Sequence, residues 1–301
     1  SVQGFYLCKE KNIRHTKNDD LYLDVILTDA TGTIPGKMWE LVDDFQNRFD
    51  SGDPVAVKGK VGEFNDLLQL TVTQINLASS AQYGKYGYSP EILLKKVDEP
   101  IDGLWKRLMK ILDTLKQPYK ELVSIIINQY KDKIQKMPAS VNHHYPVLGG
   151  FLKHIVITSE ISFDILRYYP SLDGDLVLSG ILLHNIGKVN SINDDLVPGY
   201  TDEGKLIGHI VLGRDIVLGA ARSVKNIPQD TLTKLEHIIL SHQERTEEGS
   251  ITVPRFPEAL FVYYINKLDG GINMMMSTIE NDPNMNWTGS QSKFKTKLYK
   301  K

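Results

Sequence analysis

The sequence predicts two structural halves, a small five-stranded β-barrel followed by an all-helical domain. Over residues 1–80, short segments alternate apolar and polar side chains and are separated by turn residues, which is the pattern of strands. Beyond residue 100, apolar residues recur every three or four positions, as in helices that bury one face. The chain of 301 residues has room for both halves.

The sequence of the first half predicts three strands, a helix and two further strands. The strands are expected at 4–9, 21–27, 34–39, 53–61 and 67–77. The helix is expected at 41–49, where Leu41, Phe45 and Phe49 recur with helical spacing. This order of elements is that of an OB-fold barrel, so we assign residues 1–80 to an OB-fold nucleic-acid-binding domain.

Barrels of this kind bind single strands by stacking bases on surface aromatic rings beside basic side chains. The candidate binding residues are Trp39, Phe64, Tyr22, Lys37, Lys58 and Lys60. Each aromatic ring has the alternative of filling the small barrel, and this alternative is favoured for Tyr22, which stands in an apolar strand.

Residues 81–100 are predicted to form a linker, because small residues and proline argue against a packed element there. Residues 101–301 are assigned to the helical domain. Its helices are expected at 104–115, between 118 and 138, and near 147–169, 175–187, 202–222, 228–243 and 256–280.

Charge and cysteine content narrow the class of protein. A net charge of −2 argues against a generic polyanion binder. The single cysteine, Cys8, excludes an internal disulfide and fits a reducing compartment. No apolar run approaches the roughly 20 residues that span a bilayer, and no secretion leader is recognisable. We therefore expect a cytoplasmic protein without a membrane partner.

Several histidines of the helical half stand in apolar helical contexts. They are His154, His184, His209, His237 and His242. Neutral imidazoles are common ligands of transition-metal ions, and metal sites in helical bundles are built from inward-pointing side chains of separate helices. A single such histidine is more often a hydrogen-bonded core residue. Five together, with the sequence HNIGK from His184, predict a metal site.

Six sequence blocks resemble the YhaM family of 3′-to-5′ exoribonucleases, which couple an OB-fold to an HD-domain metal-dependent phosphohydrolase. The blocks lie between Met137 and Ala259 and read MPASVNHH, GGFLKH, LLHNIGK, YTDEGKLIGHI, LSHQ and PEA. The resemblance covers almost the whole chain and gives the HD domain a core at about 137–281. It implies an RNA-binding hydrolase that removes nucleotides from the 3′ end of single-stranded RNA.

The resemblance also implies roles for individual residues. His154, His184, Asn185 and Asn266 fall on the positions of a first metal ion, and residue 185 would bridge to a second ion. His209, His242 and Gln243 fall at or near the positions of the second ion. His237 is an additional candidate ligand there.

Three further residues are implied at the same site. Lys188 is expected to meet a phosphate oxygen and, with Asn185, to act in catalysis; a surface lysine after a helix end is the alternative. His143 and His144 are expected either to contact RNA at the entrance or to form an ordinary loop.

The implied cofactor is one or two divalent ions, with Mn²⁺ expected first and Fe, Co or Mg as alternatives. The implied partners are single-stranded RNA, or single-stranded DNA, and further copies of the chain.

Three positions depart from the family pattern. Asn185 and Asn266 stand where aspartates are expected, and Gln243 stands in place of a histidine. An amide oxygen can bind a metal ion, but it is uncharged and cannot bridge two cations as a carboxylate does. Asp269 could replace the missing carboxylate at one ion. We therefore expect hydrolysis to be reduced or lost. Engineering and natural drift both explain such changes, and drift accounts better for three of them.

Two other functions stay open. One is a non-catalytic RNA-binding homologue, which degradation of RNA in the presence of Mn²⁺ would exclude. The other is an HD phosphohydrolase acting on nucleotides, in which the barrel serves only for assembly. Binding of single-stranded RNA at moderate salt would argue against the phosphohydrolase that acts on nucleotides.

Overall fold

The computed structural model describes residues 1–65, 67–243, 251–290 and 294–300. Its contacts divide the chain into two compact units. The first contains Ser1–Lys96 and Asp194–Val197, and the second contains Val97–Asn193 and Pro198–Lys301.

The first unit is a closed five-stranded barrel, as the sequence predicts. Its strands are β1 (Val2–His15), β2 (Leu21–Thr28), β3 (Thr33–Met38), β4 (Pro54–Phe64) and β5 (Leu67–Leu77), and the short helix α1 spans Val42–Phe45. Their order around the barrel is β1-β2-β3-β5-β4. All neighbouring strands are antiparallel except β3 and β5, which run parallel.

Alternating apolar residues fill the barrel because successive side chains of a strand point to opposite faces. Leu23, Val25 and Leu27 of β2 are buried, while the residues between them are only half-buried. Two predicted boundaries are wrong. Strand β1 continues to His15, because its polar second half still pairs with β2. The helix at 41–49 is a single turn, although Phe49 beyond it is buried in the barrel core.

The segment predicted as a linker contains packed structure. It forms α2 (Ser80–Tyr83) and two 3₁₀ turns at Gly84–Tyr86 and Pro90–Leu93. Tyr88 and Leu93 are buried in a small cluster with Leu7 and Ala78 of the same unit. The prediction of an unpacked segment at 81–100 is therefore wrong for these residues, because their aromatic and aliphatic side chains cover the outside of the barrel.

The second unit is helical throughout its described elements. They are α3 (Ile101–Thr114), α4 (Tyr119–Gln129), α5 (Lys131–Lys136), α6 (Gly150–Leu166), α7 (Gly174–Leu183), α8 (Lys188–Ser191), α9 (Asp202–Leu206), α10 (His209–Ala221), α11 (Gln229–Ser241) and α12 (Pro257–Asn281). One continuous apolar core joins the long helices. Within the described ranges, no helix is long and apolar enough to cross a membrane.

Local signals set the helix boundaries that place the histidines. The Asp173 carboxylate accepts a hydrogen bond from the Leu176 amide and caps the N-terminus of α7, and His184 directly follows the last residue of that helix. Gly208 has a positive φ of 82° and separates α9 from α10, so His209 opens a new helix. The single helix predicted at 202–222 is therefore two helices.

Candidate nucleic-acid face and histidine site

An aromatic and basic surface lies on strands β2 and β3 of the barrel. Tyr22 stacks on Trp39 with ring centroids 4.8 Å apart, and Lys37 Nζ lies 5.4 Å from the centroid of each ring. Trp39 is exposed and Tyr22 is half-buried, so neither ring fills the barrel. The alternative that these two rings are core residues is wrong.

The other predicted binding residues of the barrel fall in two places. Lys60 lies opposite Thr71, which lies opposite Lys37, so both lysines project from one row across β4, β5 and β3. Phe64 is exposed at the end of β4, where it pairs with Leu67. Lys58 belongs to another row, between Gln3 and Gln74. The structure therefore does not group Lys58 with Trp39.

The second unit brings histidines from four helical segments and from the loop before α6 into one row. Between consecutive rings, the centroids of His144, His154, His184, His242 and His209 are 5.0, 5.5, 5.1 and 5.8 Å apart. The side chains of His154, His184 and His242 are almost completely buried. The sequence predicts this convergence, although it contains no single short motif that links these positions.

Hydrogen bonds fix the imidazoles of this row. His184 Nδ1 donates to Ile181 O at 2.7 Å, and His242 Nδ1 donates to Ile239 O at 2.8 Å. His154 Nδ1 donates to Asp269 Oδ2 at 2.6 Å. Because Nδ1 carries the proton, Nε2 of each ring keeps its lone pair. The Nε2 atoms of His154 and His242 are buried without a hydrogen-bond partner.

Amides occupy the positions next to these lone pairs. Asn185 Nδ2 lies 2.7 Å from His184 Nε2, and Asn266 Oδ1 lies 3.2 Å from the same atom. Asn185 Oδ1 is buried without a partner. Asp269 is turned away from the row's Nε2 atoms, since its two carboxylate oxygens accept from His154 Nδ1 and from Tyr145 Oη at 2.9 Å.

Burial keeps His144, His184, His209 and His242 of the row neutral. Desolvation lowers the pKa of His144, His184 and His209 far below the ordinary value, and it lowers the pKa of His242 to about 4. The positive charge of Lys188 acts in the same direction on these pKa values. Neutral imidazole is the form that binds metal ions.

These lowered pKa values predict acid destabilisation. Between pH 6.5 and pH 4 the unfolded chain protonates His242 but the folded chain does not, so the free energy of unfolding falls as the pH decreases. The loss attributable to His242 should be about 3 kcal/mol at pH 4. Urea unfolding in EDTA at pH 7, 5.5 and 4 measures it. The substitution His242→Gln should flatten this slope, and an equally steep slope in that variant would contradict the assignment.

Lys188 is buried beside the row. Its Nζ donates to Ala139 O at 2.7 Å, and among the described residues no carboxylate acts on its pKa. Desolvation lowers its pKa to about 7. The alternative of a surface lysine is wrong, because only 8% of the residue is exposed.

Lys188 and part of the row line a cavity of about 350 Å³. Its wall also includes His143, His144, His209, Gln243 and Asn266. No acidic side chain lines it in the ranges that the structure describes. Both histidines of the predicted entrance therefore face this cavity, and the buried Nε2 of His144 has no hydrogen-bond partner.

The donor set fits one divalent metal ion better than a bridged pair. Among the described residues, no three histidine, cysteine or acidic side chains are arranged to hold an ion. Asn266 presents an amide oxygen to His184 Nε2, whereas Asn185 presents Nδ2 and keeps a buried Oδ1 without a partner, so an amide oxygen is the further donor beside the imidazoles. A pair of ions about 3.5–4 Å apart is normally clamped by bridging oxygens, and neither amide supplies a bridging carboxylate.

One predicted residue lies apart from the row, and one neighbour of the row escaped prediction. His237 Nε2 accepts from the Arg255 backbone amide at 3.0 Å, and its ring contacts Phe256. Its position five residues before His242 turns it to another face of α11. Tyr145 holds Asp269 through its hydroxyl group, and its place directly after His144 is the only sequence signal for this role.

Comparisons with known proteins agree with this architecture. Residues 11–78 match the model of an OB-fold nucleic acid binding domain, and residues 151–271 match the HD domain. The 3′-5′ exoribonuclease YhaM of Oceanobacillus iheyensis is 28% identical over 278 residues, which cover 92% of this chain and 86% of that protein. This confirms the resemblance expected from the motifs.

Two solved structures are similar to parts of the chain. The second OB-fold domain of replication protein A from Methanococcus maripaludis is 24% identical, covering 26% of this chain and 84% of that chain. A replication protein A heterotrimer bound to ssDNA is 14% identical, covering 28% of this chain and 62% of that chain. Both TM-scores are 0.22, too low to establish a shared fold. From its two domain matches and its own architecture, the chain is an OB-fold and HD-domain protein, similar over most of its length to YhaM.

Proposed function

We propose that this chain binds single-stranded RNA and removes nucleotides from its 3′ end in a reaction that depends on a divalent metal ion. The observation that carries the proposal is the row of buried imidazoles in which hydrogen bonds fix Nδ1 of His154, His184 and His242, while Nε2 of His154 and His242 has no partner. The similarity to a 3′-5′ exoribonuclease over 92% of the chain supports the same reaction.

The chemistry at this site would be shared between the ion and the chain. A bound divalent ion would polarise the scissile phosphate and acidify a water molecule. His154, His184 and an amide oxygen of Asn185 or Asn266 would hold it. Lys188 lines the adjoining cavity and would offset negative charge that develops on the phosphate. A nitrogen-rich donor set favours a transition metal over Mg²⁺. From the resemblance to the exoribonuclease family we propose Mn²⁺ first, then Fe or Co.

Degradation of end-labelled RNA tests this function. Single-stranded RNA labelled at its 5′ end should shorten progressively when Mn²⁺ is present and stay intact in EDTA. A His184→Ala variant should be inactive under the same conditions. RNA that stays intact with every divalent ion, or that is cut internally, would contradict the proposal.

A second candidate is a non-catalytic RNA-binding protein. It is favoured by the amides at 185, 243 and 266, which leave no carboxylate pointing at His184 Nε2 among the described residues. Intact RNA that nevertheless binds with normal affinity would select this candidate.

The barrel surface gives a prediction about RNA affinity. Removing the exposed ring by Trp39→Ala should weaken binding of single-stranded RNA by roughly 5- to 150-fold, because stacking of one base contributes about 1–3 kcal/mol. Fluorescence anisotropy at moderate salt measures the change. Trp287→Ala is the control, since Trp287 is similarly exposed in the helical unit. If the unsubstituted protein has no RNA affinity, an HD phosphohydrolase acting on nucleotides becomes the better interpretation.

We also propose that the chain assembles with further copies of itself. An exposed apolar stripe at four-residue spacing on α12 supports this, since Leu260, Tyr264, Leu268 and Ile272 are 42, 57, 45 and 53% exposed. Leu268→Glu should shift the mass measured by light scattering towards the monomer. Leu206→Glu, at a residue that is 86% exposed on α9, should leave the mass unchanged. A monomeric unsubstituted protein would contradict the proposal.

A further inference from the structure

The barrel unit carries a second concave surface away from the Tyr22 and Trp39 stack. It is a cavity of about 560 Å³ on the outer face of β1, β4 and β5, closed on one side by α2 and the turn that follows it. Ten residues line it, all of them described, and none is acidic. Its aromatic members are Phe5, Tyr83 and Tyr86.

Strand register explains why polar side chains converge in this cavity. Gln3 lies opposite Lys58, and Lys58 lies opposite Gln74, so their side chains share one face of three neighbouring strands. In the adjacent row, Ala56 stands between Phe5 and Asn76. The small Ala56 side chain leaves a depression between a ring and an amide.

Two rings of the aromatic wall, Tyr83 and Tyr86, come from the segment that the sequence predicts to be a linker, and Phe5 comes from β1. The Phe5 and Tyr83 rings meet edge to face at 5.5 Å, and the Tyr83 and Tyr86 centroids are 6.4 Å apart. Tyr88 and Leu93 of the same segment are buried and fasten it to the barrel. Tyr86, in contrast, is 66% exposed, so its ring does not serve to fill the core.

Positive charge surrounds the cavity. Lys58 is exposed within it, and Lys85 Nζ lies 5.0 Å from the centroid of Tyr86. Arg48 Nη1 donates to Asn76 Oδ1 at 2.8 Å, which holds a third cation at the edge and orients the amide. Rings, amides and cations without a lining carboxylate are the groups that bind a base by stacking, read its polar edge and neutralise its phosphate.

We propose that this cavity binds one nucleotide of single-stranded RNA, with the base stacked on Tyr86 and the phosphate beside Lys58. The amides of Gln3, Gln74 and Asn76 would contact the edge of the base. The inference rests on the proposed RNA binding by the chain, and it adds a contact on a face of the barrel separate from Trp39. It also gives a function to Lys58, which the strand register removes from the Trp39 surface.

Substitution of the exposed ring tests the proposal in the full-length protein. Tyr86→Ala should weaken binding of a short oligoadenylate at least about fivefold in a fluorescence anisotropy titration, and Lys58→Glu should weaken it as well. Tyr168→Ala is the matched control, because Tyr168 is 72% exposed in the helical unit. Photo-crosslinking with RNA that contains 4-thiouridine should label the peptide with Tyr83 and Tyr86.

The outcomes separate this inference from the proposed function. If the unsubstituted protein binds RNA and Tyr86→Ala and Lys58→Glu both leave the affinity unchanged, the second contact is wrong while RNA binding stands. If the protein does not bind RNA at all, both proposals are wrong. If the double variant Trp39→Ala/Tyr86→Ala binds RNA more weakly than Trp39→Ala does, the two rings make separate contacts.

Discussion

Restoring carboxylates at the histidine site should increase RNA hydrolysis by about 100-fold or more. The variant Asn185→Asp/Asn266→Asp places two negative charges beside His184 Nε2, where the structure has two amides. A carboxylate at 185 can bridge two cations, and a second ion contributes several kcal/mol of charge stabilisation in reactions of this type. The rate of release of 3′-terminal nucleotides in Mn²⁺ measures the gain.

Two controls define this experiment. Asn18→Asp adds one negative charge in the exposed turn between β1 and β2 and should leave the rate unchanged. Adding Gln243→His to the double variant should increase the rate further, because it supplies an imidazole near His209. An unchanged rate in all carboxylate variants would mean that the three amides are not what limits hydrolysis.

Gly187→Ala should destabilise the helical unit by about 3 kcal/mol or more. A Cβ atom at Gly187 would lie 1.9 Å from His209 O and 2.4 Å from Gly213 N, and both of these are backbone atoms that cannot rotate away. The turn after His184 would have to separate from the start of α10, with the cost of an overpacked core. Urea unfolding at pH 7 measures the change.

The matched control for Gly187 lies in α10. Gly219→Ala meets no atom within 4 Å and removes a flexible glycine from a helix, so its stability should change by no more than about 1 kcal/mol. Gly187→Ala should also separate His184 from His209 and reduce metal binding. If Gly187→Ala is as stable as the unsubstituted protein, the backbones of Gly187 and His209 are not in the close contact on which this prediction rests.

Much of the barrel could be predicted because its signals are local. Alternating residues such as Leu23, Val25 and Leu27 report a buried face directly, and the order of elements along the chain indicates the OB-fold. The extent of β1 could not be predicted, since its polar half is held by pairing with β2 rather than by burial. The packing of Tyr88 and Leu93 could not be predicted either, because Gly84, Gly87 and Pro90 interrupt the local apolar pattern.

Four histidines of the candidate site could be predicted from the sequence, but the connections between them could not. Histidines in apolar helices predicted the row, and the HNIGK sequence predicted that Asn185 and Lys188 lie beside it. Which ring nitrogen keeps a lone pair depends on contacts between residues distant in sequence, such as His154 with Asp269. The separation of Lys58 from Trp39 likewise depends on strand register, which sequence proximity does not reveal.

Metal content of the purified protein tests the central claim most directly. After incubation with Mn²⁺ and removal of unbound ions, elemental analysis should find one ion per chain, and the His184→Ala variant should retain none. The Asn185→Asp/Asn266→Asp variant should bind two ions. No bound metal in the unsubstituted protein, or two ions held without the restored carboxylates, would contradict a single-ion site built from imidazoles and amides.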